Sequence, residues 1–238
     1  LCAHHLVVDG VSFRILLAEL SRLYTLGRAA QLAAATTSFA RWSERLQAFS
    51  QSTQLESARA VFQRTWLEPA AALRAPKPGA AHAAHGQAGR AVTSLDRAAT
   101  ERLLRGAQQA YRTQGAELLL TALARVLSDF AGQSAVWIEL ESHGRDAPFS
   151  GVDLSGSVGW FTALYPVRLT AAEDWGASVK ANKETLRTLT PHAVAYSVLR
   201  ERDRELRELP RPGLTFNYLG QFDAELSRGA LHVATESR

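Results

Sequence analysis

The sequence predicts a mixed α/β fold, and three observations carry that prediction. Apolar residues recur at helical spacing over residues 11–24, 37–67 and 116–130. Residues 135–140 follow the helix-ending Gly132 and are expected to alternate between two faces as a strand does. Between residues 90 and 140 the order reads strand, helix, helix, strand, which points to layers of helix on sheet.

Composition narrows the class. The 238 residues, 46% hydrophobic, suffice for one large domain or two smaller ones. The 27 Lys and Arg less the 23 Asp and Glu leave a formal charge of +4, with arginines scattered among glutamates. Without a basic block, no nucleic acid partner is expected, and a mildly basic surface suits an acidic protein partner. No run approaches the roughly 18 apolar residues of a membrane span, and no basic-then-apolar leader opens the chain, so a cytoplasmic protein without membrane partners is expected. Cys2 is the single cysteine, which excludes an internal disulfide and a thiolate zinc site, and it is expected to be a buried small apolar residue.

In chain order, residues 1–6 are short and largely apolar, as at the end of a strand, and Asp9-Gly10 signals a turn. The helix over 11–24 follows, with Asp9 or Ser12 as its N-cap. Residues 37–67 place Phe39, Trp42, Leu46, Phe49, Leu55, Ala58, Phe62 and Trp66 on one or two amphipathic helices broken near 50–53, their aromatics facing a core. Residues 69–89, rich in Ala, Pro and Gly, form a linker or surface loop. Its His82 and His85 lack neighbouring carboxylates or cysteines to complete a metal site. Residues 90–95 are a strand candidate, and Asp96 caps a helix over 97–111. Gly115 separates that helix from the next, over 116–130, which Gly132 ends before the strand at 135–140.

Two clusters could carry chemistry. His4 and His5 sit where the first strand meets its turn, and alternation turns only one of two adjacent strand side chains toward a cavity. The same divergence argues against a His4-His5-Asp9 metal site. The second cluster, Glu141-Ser142-His143-Gly144-Arg145-Asp146, follows the 135–140 strand. Glu139 and Glu141 share a strand face, so spacing allows either to line a cavity. A solvated Glu141 paired with Arg145 is the plain alternative.

The segment His4-His5-Leu6-Val7-Val8-Asp9-Gly10 resembles the His-His-x-x-x-Asp-Gly signature of the condensation superfamily of nonribosomal peptide synthetases. Three further segments resemble motifs of that superfamily's epimerisation domains: Glu141 to Arg145, with Ser142 where the motif has glycine; Ser157-Val158-Gly159-Trp160-Phe161-Thr162-Ala163-Leu164-Tyr165-Pro166; and Leu214-Thr215-Phe216-Asn217-Tyr218-Leu219-Gly220. Residues 191–199 depart from the pattern, which is Gly-rich near Tyr196; Cβ atoms there can redirect the turn.

The resemblance implies a chloramphenicol-acetyltransferase-like fold, represented by the end of an N-terminal lobe (1–68), a linker or loop (69–89) and a truncated C-terminal lobe (90–238). It also implies a reaction: epimerisation of an L-aminoacyl or peptidyl thioester at its α-carbon, with His5 and Glu141 as the acid/base pair. His4 would turn inward, and Asp9 and Gly10 would shape the turn, Asp9 pairing with Arg145. Asn217 and Tyr218 would hydrogen-bond the thioester carbonyl or its enolate oxygen. Trp160, Phe161 and Tyr165 would shape the channel wall. No cofactor is implied within the chain, which has no Gly-rich phosphate loop ending in Lys-Ser or Lys-Thr and no dinucleotide fingerprint after a strand; the resemblance implies that the substrate arrives on the phosphopantetheine of an aminoacylated or peptidylated carrier domain, among neighbouring synthetase domains. Peptide-bond-forming condensation and an inactive carrier-docking fragment are the alternatives.

Overall fold

A computed structural model describes residues 2–27, 31–32, 34, 36–66, 70–73, 89–209 and 211–220. Helices α1 (Gly10–Leu26), α2 (Phe39–Phe49) and α3 (Thr53–Trp66) come first, then a two-residue strand β1 (Ala71–Ala72). Next are α4 (Arg97–Glu101), a π-helical turn (Arg102–Ala107), α5 (Gln108–Tyr111) and α6 (Gly115–Ala131). Strands β2 (Ala135–Ser142) and β3 (Ala163–Thr170) precede α7 (Trp175–Leu189), a 3-10 turn (Thr190–His192), α8 (Ala193–Arg202), α9 (Arg204–Glu208) and β4 (Thr215–Phe216).

The sheet is mixed. Strand β2 runs antiparallel to β3 over its whole length, from Ala135 opposite Thr170 to Ser142 opposite Ala163. Along its other edge it pairs in parallel first with β1, at Val136 and Trp137, and then with β4, at Glu139 and Leu140. Where β1 gives way to the segment before β4, Gly213 lies so close to Leu73 that a Cβ would sit 2.1 Å from the Leu73 carbonyl oxygen, which requires glycine there. One hydrophobic cluster takes in Trp42, Phe49 and Phe62 from α2 and α3, Ile138 and Tyr165 from the sheet, and Tyr196 and Leu199 from α8.

Local signals explain most of the helices. Asp9 caps α1 by accepting from the Ser12 amide, which settles the choice between the two candidate caps. The break at 50–53 falls as expected. Helix α6 opens on a capping box of Gln114 and Glu117 and stops at Gly132, which takes the left-handed conformation at φ 62°.

Other expectations fail. Residues 1–6 are not a strand among the described residues; residues 5–7 form a turn closed by the Val7 amide on the His4 carbonyl. A strand needs a ladder, and none reaches this segment. For the same reason residues 90–95 are irregular. The expected 69–89 loop instead contributes β1, and its His82 and His85 lie outside the described residues. The predicted helix over 97–111 contains a π turn at Arg102–Ala107. Cys2 is exposed, not buried. Residues 191–199, which lack the glycines of the motif, continue into α8 and bury Ala193, Ala195 and Tyr196. No helix of the described residues is long and apolar enough to cross a membrane.

Candidate functional site

Three segments far apart in sequence meet at Asp9. Its Oδ1 accepts from the Ser12 amide at 2.7 Å and from Arg145 Nη2 at 3.0 Å, and its Oδ2 accepts from the Phe161 amide at 3.1 Å. The Asp9 amide in turn donates to the Gly159 carbonyl. Ser12 Oγ closes the network, donating to the Gly159 carbonyl and accepting from the Gly159 amide and from Arg145 Nη2. Arg145 Nη1 donates to the carbonyls of Leu154 and Ser157, and the guanidinium lies 4.4 Å from the centre of the Phe161 ring.

Asp9 and Arg145 are 2% and 8% exposed, so this is a buried ion pair; further hydrogen bonds hold both Asp9 oxygens and both Arg145 Nη atoms, while Arg145 Nε is buried without a hydrogen-bond partner among the described residues. Burial pushes the Asp9 carboxyl upward, but the Ser12 and Phe161 amides, the Ser12 side chain and Arg145 outweigh it and hold it below the usual aspartate range. Gly144 makes the approach possible. At φ 63° it lies so near β3 that a Cβ would sit 1.7 Å from the Phe161 carbonyl oxygen.

This clasp stands at one side of a cavity of about 710 Å³. The N-terminal turn of α1 supplies Asp9, Gly10 and Arg14; α6 supplies Glu117 and Leu120; the end of β2 and its loop supply Glu141, His143 and Asp146. Tyr165 from β3, Thr190 after α7, and the run Phe216–Leu219 complete the wall. Of the two same-face glutamates, Glu141 lines the cavity, whereas Glu139 is buried and accepts from the Thr215 hydroxyl. Arg145 turns to Asp9, and no hydrogen bond or ion pair joins the Glu141 carboxylate to another described residue. The Tyr165 hydroxyl is 2.9 Å from Thr190 Oγ1; burial raises its pKa, partly offset by that hydrogen bond.

Of the residues singled out in the sequence, Asp9, Gly10, Glu141, Asn217 and Tyr218 come together on the cavity, and Arg145 stands behind it. His5 is outside the lining; it is exposed, and its ring meets Trp160 edge-on at 5.9 Å. His4 is exposed too, not inward, because the chain here turns and strand alternation does not apply; its Nδ1 accepts from the Leu6 amide. Sequence reasoning missed Ser12 as a partner of Arg145 and Gly159, and missed Arg14, which donates to the Leu219 carbonyl at the cavity edge. The spacing of Ser12, three residues after a capping aspartate, is the visible signal for the first.

A family model described as Condensation domain matches residues 1–235. The chain belongs to the condensation domain family. Among curated proteins this condensation-family chain is 40% identical over 229 residues to chondramide synthase cmdD of Chondromyces crocatus, covering 93% of the chain and 6% of that protein. It is 36% identical over 234 residues to bacitracin synthase 2 of Bacillus licheniformis, covering 94% of the chain and 9% of that protein. Among solved structures it resembles the epimerization domain from the third module of tyrocidine synthetase B, with 36% identity and a TM-score of 0.76, over 92% of this chain and 51% of that one. The first condensation domain of the CDA synthetase matches at 24% identity and a TM-score of 0.62, over 91% of this chain and 47% of that one, a likeness of fold alone. The chain thus spans about half the length of these solved chains and a small fraction of the curated relatives. Its α/β fold is that of the chloramphenicol-acetyltransferase-like condensation domains.

Proposed function

We propose that the chain takes part in epimerising an L-aminoacyl or peptidyl thioester at its α-carbon, the thioester being carried on the phosphopantetheine of a carrier protein domain in nonribosomal peptide synthesis. The observation that carries this reading is Glu141: a cavity-lining carboxylate at the end of β2, with Arg145 committed elsewhere, in a chain 36% identical to an epimerization domain. In this reading one of His5 and Glu141 takes the α-proton. The C–H electron pair moves into the bond to the carbonyl carbon, and the carbonyl oxygen becomes an enolate oxygen. Asn217 or Tyr218 hydrogen-bonds that oxygen. The other acid/base group then returns a proton to the opposite face, restoring the thioester with inverted configuration. The reading has His5 act from the Trp160 side and Glu141 from the end of β2.

Peptide-bond formation is the second reading, favoured by the family match itself. There His5 assists an amine attacking the thioester, and Glu141 is dispensable. The two readings separate when the natural polypeptide bearing residues 1–238 is mixed with an L-aminoacyl carrier protein in deuterated water. Epimerisation yields D-amino acid carrying one deuterium at the α-carbon. Unchanged, undeuterated L-amino acid from a verified loaded carrier contradicts it and favours condensation.

A further inference from the structure

The cavity lining divides by burial. Its most buried apolar side chains, Leu120, Leu140, Tyr165 and Leu186, are only 3%, 6%, 2% and 6% exposed and mark its inner end, and Phe216 pairs with Leu140 in the sheet. The polar atoms there are already matched, since the Tyr165 hydroxyl and Thr190 Oγ1 bond to one another. The charged groups on the α6 and α7 walls are committed too. Glu117 Oε2 accepts from the Gln114 amide at 2.8 Å, and its Oε1 faces Arg187 at 3.9 Å, with Arg187 more than half exposed. Of the other charged lining groups, Asp9 is buried but held by Arg145 in the clasp, and Glu141, Asp146 and Arg14 belong to the less buried part of the wall.

We propose that this inner end seats the side chain of the substrate's amino acid and selects apolar side chains, of leucine or phenylalanine size, over charged ones. The proposal rests on the reading that an aminoacyl thioester enters the cavity, and it adds the class of amino acid. A carboxylate or ammonium placed among the leucines gives up its hydration and gains no counter-charge from those apolar side chains, whereas an apolar side chain gains contact with them. The cavity, at about 710 Å³, is large enough for such a side chain together with the end of its carrier arm.

The test measures binding apart from catalysis. Leucyl, phenylalanyl, glutamyl and lysyl amides of pantetheine, in which nitrogen replaces the thioester sulfur, are titrated against the natural polypeptide by calorimetry. The leucyl and phenylalanyl probes are expected to bind at least about ten-fold more tightly than the charged pair, a ratio that a few buried methylenes provide. The Phe216→Ala variant, which opens one wall, is expected to lose more affinity for the leucyl than for the phenylalanyl probe. Equal affinity for all four probes, or binding of none, overturns the proposal. Apolar-selective binding without deuterium exchange in a leucyl carrier thioester leaves the pocket assignment standing and removes epimerisation instead.

Discussion

Asp9 and Glu141 line one cavity, but the Asp9 carboxylate accepts hydrogen bonds from Ser12, Phe161 and Arg145, whereas no described residue hydrogen-bonds the Glu141 carboxylate. The difference assigns them different work. A carboxylate whose lone pairs are filled and whose charge is matched cannot exchange protons without breaking the structure that holds it. A carboxylate that faces open space can. The Glu141 to Arg145 segment feeds both: Arg145 goes to the clasp, and Glu141, four residues earlier, goes to the cavity.

Substitutions on the clasp side should act on stability. Asp9→Ala leaves Arg145 buried without its counter-charge and is expected to cost about 3–5 kcal/mol in denaturant unfolding. Gly144→Ala forces a left-handed backbone on a residue with Cβ, worth about 1–3 kcal/mol before the clash with the Phe161 carbonyl is counted, and should lower the melting temperature in proportion. Ser12→Ala orphans the Gly159 amide and removes one acceptor from Arg145, for an expected loss of about 1–2 kcal/mol in the same measurement. Acid should erode the clasp as well. The Asp9 carboxyl is held below its ordinary range when folded, so its contribution is complete above the ordinary aspartate pKa and disappears as pH falls through the lowered value. The stability gap between the natural chain and Asp9→Asn should therefore be widest near neutrality and close in acid; a gap independent of pH would break the contrast. At the other extreme, Glu141→Gln is expected to change stability by no more than about 0.5 kcal/mol.

The clasp was more legible in the sequence than the sheet around it. Asp9-Gly10 before an apolar helix announces a cap, and the pairing of Asp9 with Arg145 comes from the family resemblance, since spacing alone offers Glu141 as the partner. Helix α6 was legible from end to end because its stripe, the Gly115 boundary and Gly132 agree. What could not be read depends on partners distant in the chain. Ala71 and Ala72 have no strand preference of their own and become β1 only beside Val136 and Trp137. Residues 1–6 carry apolar side chains but find no ladder among the described residues, so the turn and its two exposed histidines replace the expected strand end. The choice between Glu139 and Glu141 was open on spacing and is made by Thr215, which arrives from 76 residues away to bond Glu139.

The most direct measurement is α-proton exchange by Glu141→Gln, with an L-aminoacyl carrier protein in deuterated water and with unfolding followed on the same sample. We predict a variant as stable as the natural chain whose exchange is slower by roughly 10²–10⁴-fold, the contribution of one positioned acid/base group. Exchange at the natural rate in a folded Glu141→Gln variant would contradict the assignment of the open carboxylate as the proton carrier.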